Sequence, residues 1–452
     1  MSNRLFSAKR PAVPLRGIHL DLKGSQPTPA RMLQLMDVLA ATRLNCALIE
    51  WEDTFPWKRY PELKSPTAYT PEFIGRLMDK AGELGIEIIP LVQCFGHSEN
   101  VLSHVRFRRL REVPDNVAEF CPSDPRSAQL IIELVDDVLA LSRGLITRFH
   151  LGGDEAWHMG SCPKCRKAVK AHGRDWLYLK HVTPILDHLN DLGVRPILWD
   201  DMMRKWPVAA IKEMGRKADL MSWAYGANPV GKKKEWLNEG HLRTFKAASV
   251  TNWGASAYKG GDGAFVDLPN PAERAKNNLA WAAQAKKHGL AGVVMTAWSR
   301  YNTFLSPCET IEASLDCLVF SAAALWDGKL PRDYVKASHA FLKRYKGGRE
   351  WHRFSKCQRA AAELGKWQKG GVLYWLEEEL ERAACLNGEP KRINPAIIRR
   401  ARERVRMELA KGKKLGDAFI AAHRGAMPEM WLKLYVASRL MPLARRAKAV
   451  GA

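Results

Sequence analysis

Short apolar, largely β-branched or aliphatic runs recur along the first two-thirds of the chain. They fall at Arg16–Leu22, Asn45–Glu50, Ile86–Val92, Arg148–Gly152, Arg195–Asp200, Asp219–Trp223, Ser249–Ala255 and Gly292–Trp298. Each is followed by a longer, helix-compatible stretch. Pro29–Arg43 shows the pattern: a proline opens it, and Met32, Leu33, Leu35, Met36, Val38 and Leu39 repeat at largely helical spacing. Pro71–Leu84 and Ala128–Leu141 read alike. Eight β-then-α units over roughly 300 residues predict an α/β fold of the (β/α)8 TIM-barrel type, its strands buried on both faces. A doubly wound sheet is the alternative, but no Gly-x-Gly-x-x-Gly follows an early strand.

From about Pro331 the pattern changes to amphipathic helices, predicted at Tyr334–Tyr345, Tyr374–Ala384, Pro395–Lys411 and Pro428–Leu440 between glycine- or proline-containing breaks. The expected organisation is a catalytic barrel over residues 1–330 and a mainly α-helical C-terminal domain over 331–452. Charge sharpens the division. The last 122 residues hold 28 Lys and Arg against 12 Asp and Glu, so +16 of the net +23 lies there. No nucleic-acid motif accompanies it, and a basic solvated helical surface is the preferred reading. Nucleic-acid or polyanion binding by that domain and a homodimer stay open as alternatives.

No uninterrupted apolar run approaches the length of a membrane span, and no apolar segment follows the basic N-terminal residues, so a soluble, unexported protein without membrane partners is expected. Nine cysteines, an odd number without dense regular spacing, read as thiols of a reducing compartment and point to the cytoplasm.

In barrels the reactive groups gather at the C-terminal ends of the strands. Polar and aromatic residues collect there in this sequence: Asp21 and Lys23, Glu50 to Asp53, Gln93 and His97, then His150, Asp154, Glu155 and Trp157. Trp199, Asp200 and Asp201 follow, then Trp223 and Tyr225, Trp253 and Tyr258, and Trp298, Arg300 and Tyr301. Paired carboxylates supply acid/base work, and flat rings cover the apolar face of a pyranose, so the set suits a sugar site.

Leu151-Gly152-Gly153-Asp154-Glu155-Ala156-Trp157 resembles the signature of the glycoside hydrolase family 20 β-hexosaminidases. Leu20–Gly24, Ile49–Pro56, Pro90–His97, Leu198–Met202, Ala255–Gly260, Thr296–Tyr301 and Cys308-Glu309 are similar, in the same order, to the hexosaminidase D branch. The resemblance implies a retaining β-N-acetylhexosaminidase acting on terminal amino-sugar glycosides, with the substrate's own acetamido oxygen as nucleophile. It implies that Asp154 orients the acetamide while Glu155 serves as general acid and base. It also implies that Trp199, Trp223 and Trp298 wall the pocket, that Tyr258 or Tyr301 donates to the acetamide oxygen, and that His97 lies beside the catalytic pair. Asp21, Lys23 and Glu309 are expected to hold sugar hydroxyls. Exported members usually place Arg where Lys23 stands, and lysine is a less rigid, single-point donor.

The chemistry needs no cofactor and no metal. His158, Cys162, Cys165 and His172 have zinc-compatible spacing, but a single Cys-x-x-Cys without a second cysteine pair is weak, and free loop thiols are expected. Two rivals stand beside this reading. One is a retaining glycosidase with a protein nucleophile such as Glu50 or Asp200; the other is a non-catalytic barrel that binds carbohydrate or polyanions.

Overall fold

A computed structural model describes residues 4–231, 235–263, 266–300, 305–370, 375–376, 378 and 395–449. The barrel strands are β1 (Leu15–Asp21), β2 (Cys46–Glu50), β3 (Glu87–Leu91), β4 (Arg148–His150), β5 (Arg195–Trp199), β6 (Asp219–Trp223), β7 (Asn252–Lys259) and β8 (Gly292–Ala297). They run parallel in sequence order, and β8 closes on β1 with Leu15 opposite Gly292 and Ile18 opposite Met295.

The helices of the barrel region are α1 (Pro29–Ala41), α2 (Pro71–Glu83), a short α3 (Glu99–Leu102), α4 (Pro125–Leu141), α5 (Pro163–His172), α6 (Arg174–Asp191), α7 (Val208–Lys217), α8 (Glu239–Ala247), α9 (Pro271–His288) and α10 (Leu315–Asp327). Their starts are written in the sequence. Thr28, Thr70, Asp124 and Asn270 each accept a backbone N–H of the first turn, and a proline follows each cap.

Alternation along the strands makes two apolar layers. Cys46, Leu48, Ile89, Leu91, Ile197, Trp199, Met221, Trp253, Ala255 and Val294 fill the lumen. Opposite-facing residues such as Ile18, Leu20, Ile88, Phe149, Leu198 and Leu220 pack under the helices. The packed lumen forces any ligand site to the barrel mouth.

The C-terminal segment adds α11 (Tyr334–Arg344), α12 (Arg349–Gln368), α13 (Pro395–His423) and α14 (Glu429–Ala449). Three of these differ from the sequence reading: α14 runs nine residues past the expected end at Leu440, through Pro442. α12 was not expected, and α13 runs twelve residues past Lys411 through Gly412 and Gly416. These glycines are packing positions: a Cβ at Gly412 would overlap Trp367 of α12, and one at Gly416 would overlap Val436 of α14. Helix Tyr374–Ala384, expected from the sequence, lies outside the described residues apart from Trp375, Leu376 and Glu378.

The last helices form a second core around Leu364, Trp367, Phe419 and Tyr435. Buried polar bonds also fasten them to the barrel. Arg31 of α1 pairs with Glu312 (2.6 Å) and with Glu350 of α12 (2.8 Å), while Asp267 accepts from Tyr435 (2.6 Å) and Arg439 (3.1 Å). Trp431 lies under the Arg300 guanidinium at 5.5 Å, behind the β8 loop. Among the described residues no helix is long and apolar enough to cross a membrane.

Candidate active site

The chain leaves β4 through Gly152 (φ +61°) and Gly153 (φ +81°) before presenting Asp154 and Glu155. Both glycines are required twice over. Their φ values lie in the left-handed region, and a Cβ would overlap the Gln93 amide at Gly152 or the Tyr178 hydroxyl at Gly153. Gly96 meets the same bend from the β3 side, where a Cβ would overlap the Asp154 carbonyl. The backbone is thereby pressed between the β3 and β5 loops. Glu155 (φ +48°) and His97 (φ +54°), neither of them glycine, are held in left-handed conformations, the kind of strain that clusters at functional sites.

Three side chains meet at this bend. His97 Nε2 lies 3.1 Å from Glu155 Oε2 and 3.5 Å from Asp154 Oδ2. Asp154 is buried, and its Oδ1 has no hydrogen-bond partner among the described residues; the Glu155 side chain is 37% exposed. One carboxylate thus sits in a dry recess and its neighbour at the open rim. Burial raises the Asp154 pKa to about 7, against the attraction of His97 and with the repulsion of Asp201 and Glu155. Burial alone would lower His97, but Asp154 and Glu155 outweigh it and lift the imidazole to about 10.

Asp201, at the end of β5, completes the frame. Its Oδ2 accepts the Glu155 main-chain N–H at 3.0 Å, and its Oδ1 accepts the Trp223 indole N–H at 3.2 Å. Burial raises the Asp201 carboxyl to about 6. Trp199 and Trp298 pack 6.0 Å apart over the lumen, Trp298 reaches within 6.3 Å of Tyr225, and Tyr225 stacks on Trp223 at 5.5 Å. Burial and the charges of Asp154 and Glu155 push the Tyr225 phenol well above its usual value. An adjoining cleft of about 830 Å³ is lined by Trp157, Met159, Asp201, Arg204, Trp206 and Trp236.

Other expected residues are placed differently. Tyr258 faces outward from β7 into the core beneath the helices, nearest Glu312, Cys317 and Glu309, and does not reach the barrel mouth. Tyr258 lies at the register shift of β7 between Ala257 and Lys259, and its ring joins the core beneath the helices rather than the lumen cluster of Trp253 and Ala255. Tyr301 lies outside the described residues.

Asp21 is consumed as a brace. Oδ1 accepts the Lys23 N–H (3.0 Å) and Oδ2 the Ser299 N–H (2.8 Å). Lys23 Nζ sits among Glu50 (2.7 Å), Asp21 (3.2 Å) and Glu52 (3.8 Å), and 5.9 Å from the Trp298 ring. Glu309 is buried and accepts the Gly260 N–H at 3.0 Å; burial lifts it to about 7, against the pull of Lys259.

The two carboxylates considered as protein nucleophiles are tied down. Glu50 holds Lys23, His19 (3.1 Å) and Gln93 (2.9 Å). Asp200 is gripped by both Arg204 nitrogens at 2.6 and 2.9 Å and by Ser222 at 2.9 Å.

The comparisons with known proteins decide the family. Residues 14–302 match glycosyl hydrolase family 20, catalytic domain. The chain belongs to this family. Hexosaminidase D of Homo sapiens is 31% identical over 333 residues, covering 72% of this chain and 68% of that protein. Hexosaminidase D of Bos taurus is 30% identical over 338 residues, covering 73% and 96%. In fold the chain is similar to a Flavobacterium johnsoniae chitobiase (TM-score 0.57, 17% identity, 96% of this chain and 73% of that one). It is likewise similar to a Bacteroides fragilis β-N-acetylhexosaminidase (TM-score 0.56, 16% identity, covering 75% and 72%). As a family 20 member with these relatives it is a glycoside hydrolase of the β-N-acetylhexosaminidase type.

Two groups of metal-capable side chains converge among the described residues. His97, Asp154 and Glu155 form one, already paired internally. Glu112, Cys121, Cys162 and Cys165 form the other, on the loops flanking the first. It takes only the cysteines of the His158, Cys162, Cys165, His172 set: His158 bonds Glu119 at 2.7 Å, and His172 packs on Trp176. Cys121 and Glu112, forty or more residues upstream, carry no local spacing signal.

Proposed function

We propose that this family 20 enzyme removes terminal β-linked N-acetylglucosamine or N-acetylgalactosamine, with the substrate's acetamido oxygen as the nucleophile. The carrying observation is the Asp154–Glu155 pair, one carboxylate buried with a free oxygen and its neighbour half-exposed at the rim. In the first step the acetamido oxygen bonds to the anomeric carbon while Glu155 gives its proton to the departing glycosidic oxygen. Asp154 accepts the acetamide N–H and offsets the positive charge of the oxazolinium. In the second step Glu155 takes a proton from water, which opens the ring from the aglycone face. Two inversions leave the β configuration retained.

The surroundings support this division of labour. In this reading Trp199, Trp223 and Trp298, linked through ring contacts with Tyr225, would hold the methyl and the sugar face, Tyr225 would donate to the acetamide, and His97 would keep the two carboxylates in register. Both oxygens of Glu50 and of Asp200 are already bonded to basic or polar side chains, which favours a nucleophile carried by the substrate. Its place of action in this reading is the cytoplasm, on the odd number and irregular spacing of the nine cysteines in the sequence.

Hydrolysis of 4-nitrophenyl β-glycosides of N-acetylglucosamine, N-acetylgalactosamine and plain glucose tests the proposal. Turnover confined to the two acetamido sugars, and lost in Asp154→Asn, is expected. Comparable turnover of the plain glucoside would overturn it.

A further inference from the structure

Beside the catalytic bend, three cysteine thiols and one carboxylate point at a common space. Cys121 Sγ lies 3.8 Å from Cys162 Sγ and 3.6 Å from Cys165 Sγ. These separations match the edge of a tetrahedron with metal–sulfur bonds of about 2.3 Å, which is about 3.8 Å; a disulfide would need about 2.05 Å. Glu112 brings its carboxylate so close that one oxygen and the three sulfurs all lie within 4.8 Å of one another. We infer that Glu112, Cys121, Cys162 and Cys165 form a structural zinc site.

The carboxylate is set up for it. Oε1 of Glu112 accepts the Gly160 N–H (3.0 Å) and the Cys162 N–H (2.9 Å), which fixes its orientation. Oε2 is buried and has no hydrogen-bond partner among the described residues. A buried carboxylate oxygen without a partner is costly unless a cation meets it.

The thiols are equally prepared. Cys162 caps α5, and its sulfur accepts the Cys165 N–H at 3.4 Å, which fixes where the sulfur points. α5 also carries Lys164, Arg166, Lys167 and Lys170, which offset the net negative charge of zinc bound to three thiolates and a carboxylate. Cys121 arrives on a short bridge, where Arg111 pairs with Phe120 and the Cys121 N–H reaches Leu110 O at 2.7 Å. A zinc ion there would tie the loop after β3, which carries His97, to the loop after β4, which carries Glu155 and Trp157. It would leave no open coordination position, so its role is to hold the two loops together and not to act on substrate.

Metal analysis of protein produced in zinc-supplemented medium and purified under reducing conditions tests this. One zinc per chain is expected, and chelation should release it together with three newly reactive thiols. The Co(II)-substituted protein should show thiolate-to-metal charge-transfer absorption. Cys121→Ser and Glu112→Gln should lower metal retention, whereas His158→Ala and His172→Ala should keep it. Zinc-free protein that also fails to develop the Co(II) band would overturn the inference. So would a Cys121–Cys162 or Cys121–Cys165 disulfide in the reduced-purified protein. If Cys121→Ser does not fold, the chelation and Co(II) measurements on the unaltered chain decide alone.

Discussion

The main-chain amide of Glu155 donates to Asp201 Oδ2 at 3.0 Å, so the rim carboxylate is positioned through its backbone by a residue 46 places further on. The same Asp201 holds the Trp223 indole, and one side chain therefore positions both the proposed acid/base and a proposed wall of the sugar pocket. Asp201→Ala is expected to lower kcat about 10- to 100-fold, on the scale of lost supporting contacts. KM for the acetamido sugars should rise as Trp223 is released. Steady-state kinetics beside a melting curve separates this from unfolding, and an unchanged kcat with altered stability would reduce Asp201 to a brace.

On the proposed mechanism Glu155→Gln removes the proton donor but not the acetamido nucleophile. Activity on an unactivated disaccharide should fall about 10²- to 10⁴-fold, and far less on a dinitrophenyl glycoside, whose leaving group needs no protonation. An equal loss on both substrates would assign Glu155 another role.

The pH response follows from His97 and Asp154. Asp154, raised to about 7, must ionise to stabilise positive charge, so kcat/KM should climb through about pH 7. His97 is the attraction that opposes burial, and His97→Ala should shift this acid limb to higher pH. For stability the sign is set by the raised values. Both groups bind protons more tightly folded than unfolded, so their contributions are complete at low pH. That of Asp154 is lost as pH rises through about 7, and that of His97 as it rises through about 10. Asp154→Asn should therefore melt higher than the parent at pH 8 and show no such gain near pH 4. The reverse order would mean that Asp154 is favourably ionised in the fold.

Arg31 joins α1 to Glu312 and to Glu350 of α12 with almost no solvent contact. Arg31→Ala takes the ion-pair partner from buried Glu312, leaves Glu350 only its 3.5 Å contact with Arg353, and should cost about 3–5 kcal/mol of stability. Chemical denaturation measures it. A loss within error of zero would show that the Arg31 ion pairs do not hold the C-terminal helices to the barrel, leaving apolar packing and the Asp267 bonds to Tyr435 and Arg439 to do so.

The barrel was legible because strands buried on both faces read as apolar runs and helix starts as Thr-Pro, Asp-Pro or Asn-Pro pairs. β7 was read three residues early at its start because Ser249 begins the apolar run but takes φ +59° in the preceding turn, and the strand continues through the small residues Ala255, Ser256 and Ala257. Asp154, Glu155 and His97 were legible as motif residues. Tyr225 was passed over for Tyr258 because a motif does not reveal which face of a strand a side chain takes. Asp201 acts through a backbone amide, and Cys121 and Glu112 join Cys162 and Cys165 only through the fold, so local spacing is silent on all three.

The central claim is that the attacking oxygen belongs to the substrate, and the most direct measurement is kcat/KM across 4-nitrophenyl N-acylglucosaminides whose acetyl group bears zero to three fluorines. Fluorine withdraws electron density from the acyl oxygen and changes its size little. A steep, monotonic fall with each added fluorine is the predicted result. A flat series would mean that a protein carboxylate attacks the anomeric carbon, and would contradict the account.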